Sequence, residues 1–389
     1  MRKVLLLVGC FLFCLSCKKS NNISSDLEEI NALLESRYKY LLSYPQDSLG
    51  FPRSASLNPE HIVKVSSKDW TSGFFVGNLW QLYKLTNNKE FMKKAVNWTP
   101  LMEKEKNNKG THDMGFKILC SYGQGYQITK NNKYKDVIVK SAKTLITRFN
   151  DSVNSIRSWD FNKETWSFPV IIDNMMNLEL LFEATKITGD SLYHKIAVKH
   201  ANTTLKNHFR ENASTFHVVD YNPKNGAVRM KVTHQGYNNN SSWARGQAWA
   251  IYGFTMAYRY TKNINYLEQA KATAYFYLHH KNLPKDAIPF WDFDASNIPN
   301  EPRDVSAATI TSSALVELYK YTKNREYLNY SKKVIQTLKS KEYILNSNLK
   351  VPFILNHSTG NWPKNDEIDQ PIVYADYYFL ETLLRLNSI

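Results

Sequence analysis

Apolar and polar positions along this chain alternate between two kinds of segment. One kind is apolar on nearly every face, and the segment that follows it carries charge on one face only. Helices that are apolar all round are buried, whereas helices with one charged face lie outside. The pattern therefore predicts pairs of inner and outer helices. The apolar segments are residues 74–85, 116–128, 175–187, 249–260 and 310–321.

A short polar turn joins the two members of each pair. Every turn has a threonine, then Asn, Asp or Gly, then an aromatic residue. Asn, Asp and Gly tolerate the left-handed conformation that ends a helix, and Asn or Asp can cap the next one. The spacing is too long for a tetratricopeptide array but suits helical hairpins. The turn threonines are Thr86, Thr129, Thr188, Thr261 and Thr322.

The two ends of the chain supply a sixth pair. Residues 374–386 form another apolar helical segment, and residues 25–42 form a one-faced helix that begins with a good cap signal. Six inner and six outer helices closed by the termini give an all-α (α/α)6 barrel, with residues 25–389 as a single domain. An open solenoid is the alternative arrangement.

The N-terminus has the pattern of an export signal. Two basic residues precede the apolar residues 4–15, and a small residue stands before Cys17. This resembles a bacterial lipobox, so we expect residues 1–17 to be a signal peptide, Cys17 to carry the lipid anchor, and residues 18–24 to be a polar tether. The expected product is an exported lipoprotein, facing the periplasm or anchored in the outer membrane, and touching membrane only through its lipid. Plain secretion is the alternative.

The charge of the chain indicates its class of binding partner, and its cysteine content limits its disulfides. The formal net charge is +15, and it is +13 without the two basic residues of the leader. The basic residues are spread along polar helix faces and no segment resembles a nucleic-acid-binding module, so an acidic carbohydrate is the better expectation. After processing, Cys120 is the only cysteine with a free thiol, which excludes an intramolecular disulfide and fits a small core residue.

Counting back 15 or 16 residues from each turn threonine leads to the start of an inner helix. In a barrel these positions meet at one mouth, where two carboxylates, a cation, an indole and a hydroxyl would form a site for a sugar acid. The alternative is that the aspartates and the serine only cap helices. The five positions are Trp70, Asp113, Asp173, Arg245 and Ser306.

The motifs around these positions resemble one family. They are His-Asp-Met-Gly at 112–115, Ile-Asp-Asn-Met-Met-Asn at 172–177, Trp-Ala-Arg-Gly-Gln-Ala-Trp at 243–249 and Arg-Asp-Val-Ser-Ala at 303–307. Together they resemble the unsaturated glucuronyl hydrolases of glycoside hydrolase family 88, whose fold is an (α/α)6 barrel. The resemblance covers most of the chain after the leader.

The resemblance implies hydrolysis through a vinyl ether rather than displacement at the anomeric carbon. The substrate is an anionic oligosaccharide, left by a polysaccharide lyase, that ends in a 4,5-unsaturated uronic acid. Asp173 is the expected general acid and base, and Asp113 is the second carboxylate, which keeps Asp173 protonated. No metal and no organic cofactor is implied, and the oligomeric state is left open.

The same resemblance names further residues that would bind substrate. Arg245 would hold polar groups of the uronate, and two tryptophans would wall its ring. Residues 357–362 are expected to contact the next sugar. The expected substrate-binding residues are Trp70, His112, Asn174, His217, Gln235, Arg245, Trp249, Ser306, Ser358 and Thr359.

Two alternatives remain at this point. An unsaturated rhamnogalacturonyl hydrolase of family 105 would share the chemistry but act on pectin or ulvan fragments, and a non-catalytic glycan-binding lipoprotein would keep the barrel alone. The pair of aspartates together with His217 and Gln235 favours the glucuronyl group. The loop 238–242 lacks the acidic residues that the family often has, which leaves the preference for the leaving sugar open.

Overall fold

The computed structural model describes residues 23–46 and 50–389. The predicted signal peptide, Cys17 and residues 18–22 of the predicted tether lie outside the described residues. Most of the described chain is helical. The helices are α1 (Ile23–Ser43), α2 (Ser72–Thr86), α3 (Lys89–Trp98), α4 (Gln124–Thr129), α5 (Asn132–Leu145), α6 (Asn174–Thr188), α7 (Ser191–Asn207), α8 (Ala244–Thr261), α9 (Ile264–Leu278), α10 (Val305–Thr322), α11 (Arg325–Leu338) and α12 (Val373–Leu386).

Six helical segments form a closed inner ring. They follow the order α2, the segment leading into α4, α6, α8, α10 and α12; each contacts the next, and α12 returns to α2. The (α/α)6 barrel is confirmed, and the open solenoid is wrong because the first and last inner helices meet. Helices α3, α5, α7, α9 and α11 lie outside. Helix α1 packs over α2 and α3, and it begins two residues before the predicted start, at Ile23.

The second inner helix departs from the expected regular helix. A π-helical segment, Gly115–Gly123, precedes α4. The Asn177 side chain on α6 accepts the backbone N–H of Phe116 at 3.1 Å and so takes one donor of its first turn. Such wide turns occur most often at functional sites, and this one begins two residues after Asp113.

The recurring turns work by one set of hydrogen bonds. In the first turn the Thr86 hydroxyl donates to the Leu82 carbonyl at 2.7 Å and accepts the Asn88 N–H at 3.1 Å. The Asn88 side chain then caps α3 by accepting the Glu90 N–H at 3.0 Å. The other four turns repeat this pattern. Their positions place all five at one end of the barrel, which we call the turn end.

Short antiparallel strands occupy the loops at the opposite end. Strands β1 (Phe51–Leu57) and β2 (Glu60–Val65) pair, as do β3 (Phe149–Asn150) and β4 (Ser155–Ile156). Strands β5 (Pro169–Ile171), β6 (Val218–Tyr221) and β7 (Val228–Val232) form a sheet in that order. Strand β5 runs directly into Asp173, so the sheet fixes the approach to the site.

Close packing of the inner ring requires glycine at particular positions. A Cβ at Gly77 would lie 2.4 Å from the Tyr377 ring and 2.5 Å from the Cys120 carbonyl, and one at Gly253 would lie 2.5 Å from the Met175 Cβ. Cys120 is buried and free, as expected. Among the helices that the structure describes, none combines the length and apolarity needed to cross a bilayer.

Candidate active site

A cavity of about 680 Å³ lies at the end of the barrel where the inner helices begin. We call it the mouth cavity. Half of the twelve residues predicted for the site line it. Four of the five positions found by counting back from the turns are among them, so the count located the right level of the barrel. The six lining residues are Trp70, His112, Asp113, Asp173, Gln235 and Arg245.

Asp173 is held in place between the sheet and α6. The backbone N–H of Ile172 donates to the His217 carbonyl at 3.0 Å, which aligns the end of β5. Asp173 stands at the N-cap position of α6, yet its side chain makes no capping hydrogen bond. The capping alternative is therefore wrong for Asp173, and its carboxyl group is left to face the cavity.

The surroundings of Asp173 favour its protonated form near neutral pH. The residue is only 8% exposed. The pKa of Asp173 is raised to about 7, mainly by burial; Arg245 opposes this rise, and the charge of Asp113 adds to it. A carboxyl group with a pKa near the working pH can both give and take a proton.

His217 faces Asp173 with a fixed tautomer. Its Nδ1 accepts two backbone N–H groups, from His234 at 3.1 Å and Gln235 at 3.2 Å. Burial lowers the pKa of His217 well below its usual value, with a further contribution from His234, so the ring is neutral and carries its proton on Nε2. That Nε2 lies 3.7 Å from Asp173 Oδ2, just beyond hydrogen-bond distance, and neither atom has another partner among the described residues.

Asp113 is the second carboxylate of the cavity. The Thr111 hydroxyl donates to its Oδ2 at 2.8 Å, and His112 Nε2 lies 3.1 Å from its Oδ1. Burial lowers the pKa of His112. Asp113 is therefore oriented by two neutral donors while remaining partly open to the cavity.

Arg245 places a positive charge near Asp173, and its hydrogen bonds go to protein groups in the cavity wall. Its Nη1 donates to Asp304 at 2.8 Å and to the Thr359 carbonyl at 2.7 Å, and its Nη2 donates to the Gly360 carbonyl. The guanidinium also lies over the Trp243 ring, 4.7 Å from its centre. Arg245 thus fixes the wall of the cavity while its charge reaches Asp173.

Apart from His217, the other predicted residues lie behind the wall, and the structure does not bring them into the cavity lining. Ser306 donates to Asp304, and Thr359 donates to the Arg303 carbonyl. Asn174 donates to the Ile156 carbonyl across the base of α6. All five are fully or almost fully buried. They are Asn174, Trp249, Ser306, Ser358 and Thr359.

Trp249 has a particular place within this group. Its ring packs on Phe116, 5.2 Å between ring centres, beneath the cavity floor rather than in its wall. Its indole N–H makes no full hydrogen bond among the described residues, but it lies near enough to Asp173 to favour the carboxylate. The structure thus places Trp249 beside Asp173 but outside the lining of the mouth cavity.

Several cavity residues carry no sequence signal of their own. Arg53 on β1 binds both carboxylate oxygens of Glu367, at 2.7 and 2.9 Å, and Asp69 at 2.9 Å. The rings of Trp159 and Phe161 stack with centres 5.0 Å apart and line the opposite wall. Arg53 lies on a strand, and Trp159 and Phe161 lie in an irregular segment, so helix periodicity gives no guidance to any of them. Among the residues that the structure describes, no group of three or more His, Cys, Asp or Glu side chains could hold a metal ion.

An (α/α)6 barrel with two carboxylates, a neutral histidine and stacked aromatic rings in one cavity defines a carbohydrate-active enzyme that works by proton transfer. The sequence model of Glycosyl Hydrolase Family 88 matches residues 53–285. The chain belongs to glycosyl hydrolase family 88.

Known proteins agree with this assignment over the whole chain. The chain is 58% identical to an unsaturated glucuronyl hydrolase of Formosa agariphila, covering 100% of this chain and 99% of that protein. It is 30% identical to an unsaturated chondroitin disaccharide hydrolase of Streptococcus agalactiae, covering 86% and 85%. A crystal structure of an unsaturated glucuronyl hydrolase specific for heparin matches with a TM-score of 0.89 at 40% identity, covering 93% of this chain and 96% of that one.

Proposed function

We propose that this enzyme removes a 4,5-unsaturated uronic acid from the non-reducing end of oligosaccharides that lyases release from glycosaminoglycans. The chain is a glycoside hydrolase of the unsaturated glucuronyl type. The observation that carries the reaction is Asp173, a buried carboxyl group with its pKa raised to about 7 beside Asp113. The similarity to family-88 enzymes over the full chain supports this activity above the family-105 and non-catalytic alternatives.

The proposed reaction is hydration of the vinyl ether. Asp173 gives its proton to C4 of the unsaturated ring, and positive charge develops at C5 and the ring oxygen. Asp173, now a carboxylate, accepts a proton from water as the water oxygen bonds to C5. The resulting hemiketal opens to a ketone at C5 and leaves a hemiacetal at C1. The hemiacetal collapses to an aldehyde and releases the remaining saccharide, which keeps the linking oxygen as a hydroxyl group.

Neighbouring groups support both halves of this cycle. The negative charge of Asp113 keeps Asp173 protonated before the first step, whereas Arg245 stabilises the carboxylate after it. The Nε2–H of His217, 3.7 Å from Asp173 Oδ2, would stabilise the same carboxylate on a closer approach of the two side chains. Trp70, which packs on Tyr374 with ring centres 4.9 Å apart, offers a flat surface for the uronate ring.

The cellular location remains a proposal from the leader sequence. The apolar segment and Cys17 support export and lipidation, with the barrel held on the membrane by the lipid. Radiolabelled fatty acid incorporated into the wild type, but not into Cys17→Ala, would support the anchor. Equal labelling of both would contradict it.

Loss of the ultraviolet absorbance of the conjugated uronate tests the activity. The panel should include unsaturated disaccharides from chondroitin, hyaluronan, heparin and ulvan, both sulfated and unsulfated. We expect turnover of at least one glycosaminoglycan product. Turnover of ulvan or pectin products alone would favour the family-105 type, and no turnover of any would overturn the proposal.

Asp173→Asn tests the assigned acid. General acid–base catalysis contributes about 10²–10⁴-fold, so kcat should fall by that factor while the protein stays folded. Asp160→Asn is the matched control, because Asp160 lines the same cavity but is held at the rim by Arg148 and Arg157. Equal activity of Asp173→Asn and the wild type would remove Asp173 from its role.

A further inference from the structure

A second cavity, of about 340 Å³, lies at the turn end of the barrel, among the last turns of the inner helices. We call it the turn-end cavity. Phe116 lines both this cavity and the mouth cavity, and Trp249 packs against it. An aromatic layer across the barrel axis therefore lies between the two. The volume falls within the range of small-molecule sites, roughly 300–1,000 Å³.

One side of the turn-end cavity is charged, and its charges are matched by protein partners. Arg259 binds Glu317 at 2.7 Å and Glu179 at 2.7 Å. Arg385 binds Glu317 at 3.0 Å and donates to the Tyr252 hydroxyl at 2.7 Å. These groups hold the barrel together, and most of their hydrogen-bonding capacity is used.

The other side offers amides that lack such partners. Gln81 on α2 is fully buried and lines the cavity, yet neither its Oε1 nor its Nε2 has a hydrogen-bond partner among the described residues. Gln124 donates to the Tyr377 hydroxyl at 3.0 Å, but its buried Oε1 is likewise unpaired in the described part of the chain. Buried polar groups are almost always paired. The unpaired amide atoms of Gln81 and Gln124 therefore lack a hydrogen-bond partner that a molecule in the cavity would supply.

The lining also indicates the chemistry of that molecule. Three cations and three carboxylates line the cavity, so their formal charges cancel and a neutral ligand is favoured. They are Lys84, Arg259, Arg385, Glu179, Glu183 and Glu381. An amide provides both a donor and an acceptor, as the hydroxyl groups of a sugar require, and the rings of Phe116 and Tyr377 offer apolar surface for a sugar face.

We propose that the turn-end cavity binds a neutral monosaccharide of pyranose size, held by the amides of Gln81 and Gln124. The proposal stands on this cavity and is independent of the catalytic assignment. Only the choice of first probe, N-acetylglucosamine or N-acetylgalactosamine, rests on the proposed function, since such sugars are neutral partners of the uronate in glycosaminoglycans.

Saturation-transfer NMR with the full-length protein and N-acetylglucosamine tests the proposal. Gln81→Leu removes the amide while nearly keeping the volume, and replacing an unpaired buried amide by an apolar group is close to neutral for stability. We expect it to raise the Kd about tenfold or more, the loss of roughly one good hydrogen bond. Gln124→Ala is the second variant and should also weaken binding.

Controls separate the two ends of the barrel. Binding should survive in Asp173→Asn, and Gln81→Leu should keep the turnover of an unsaturated disaccharide, which also shows that it is folded. Three results would overturn the proposal: no saturation transfer to either N-acetylhexosamine, binding insensitive to both glutamine variants, or binding lost in Asp173→Asn. Failure of the proposed function would appear separately, as absence of turnover with sugar binding intact.

Discussion

At the mouth of the barrel, Asp173 is buried without a full counter-charge, and its pKa rises to about 7. At the turn end, burial would likewise raise the pKa of Glu317, but Arg259 and Arg385 outweigh burial and hold the pKa below its usual value. The same fold thus keeps one carboxyl group protonated and the other ionised. The difference lies in the partners of the arginines. Arg245 donates its hydrogen bonds to the cavity wall and not to Asp173, whereas Arg259 and Arg385 bind the Glu317 carboxylate directly.

The two carboxyl groups should therefore respond to pH with opposite signs. A raised carboxyl pKa means that the folded state holds the extra proton, so Asp173 costs stability as pH rises from about 4 to about 7. A lowered pKa means that Glu317 contributes stability above the usual glutamate pKa, which is lost as pH falls through its folded value.

Replacing Glu317 should give the largest effect on stability. Glu317→Gln removes the buried carboxylate that Arg259 and Arg385 share. Breaking a fully buried pair costs about 3–5 kcal/mol, and because these two arginines are 29% and 16% exposed we expect a loss of about 2–3 kcal/mol. Urea unfolding measures this loss, and the activity of the folded enzyme should not change. The control is Glu268→Gln, which removes an exposed pair with Lys271 and should cost about 0–1 kcal/mol. Equal losses in the two variants would mean that the ion pairs of Glu317 stabilise the fold no more than the exposed pair of Glu268 and Lys271 does.

At the mouth, a change in the wall should lower activity more than stability. In Gly360→Ala the new Cβ would lie 2.3 Å from Glu367 Oε2, so Glu367 must leave Arg53 and the segment carrying the Gly360 carbonyl must shift. That carbonyl accepts from Arg245 and Gln235. Misplacement of about 1 Å can cost about 10²-fold in rate, and we expect kcat to fall by up to this factor.

Gly110→Ala is the matched control for this wall. Gly110 lines the same cavity, but the nearest atom to its added Cβ would be Asn108 Oδ1, at 3.4 Å. Its kcat should stay near that of the wild type. If the two alanine variants lose activity equally, the wall contact of Gly360 is not what limits the rate.

The charge of Asp113 should influence the pH at which kcat falls on the alkaline side of the pH profile. After burial, the charge of Asp113 is a further cause of the raised pKa of Asp173. Asp113→Asn should therefore lower that pKa, and the alkaline limb of kcat should move to lower pH, in addition to any loss of rate. Asp160→Asn should leave the limb in place. A limb that stays fixed in Asp113→Asn would mean that burial alone sets the pKa.

The barrel was predictable because its signals are local. A threonine, a cap residue and a change of amphipathic pattern each act within a few residues, and the hydrogen bonds of Thr86 and Asn88 are of this kind. Counting from the turns gave the axial level of Asp173 and Asp113. It could not give the direction of a side chain around the helix, so it also selected Ser306, which lies behind the cavity wall and donates to Asp304.

The remaining part of the site depends on contacts between distant segments. Arg53 meets Glu367 across 314 positions of the chain, and nothing local marks either residue. Trp159 comes from the irregular segment between β4 and β5, where no period of 3.6 residues exists to follow. Sequence reasoning therefore located the two carboxyl groups of the mouth cavity, Asp113 and Asp173, but missed much of the wall around them.

The smallest expected effect concerns the turns themselves. Asn131 caps α5 by accepting the Lys133 N–H at 2.9 Å, and losing such a cap costs about 1 kcal/mol. Asn131→Ala should lower the free energy of unfolding by that amount without changing kcat, since the turn lies at the end opposite Asp173. Asn132→Ala, one residue into the helix, should have almost no effect because its side chain is not the cap. Asn131→Ala and Asn324→Ala act on separate outer helices, so their costs should add; a double variant that also lost activity would mean that the two ends of the barrel are coupled.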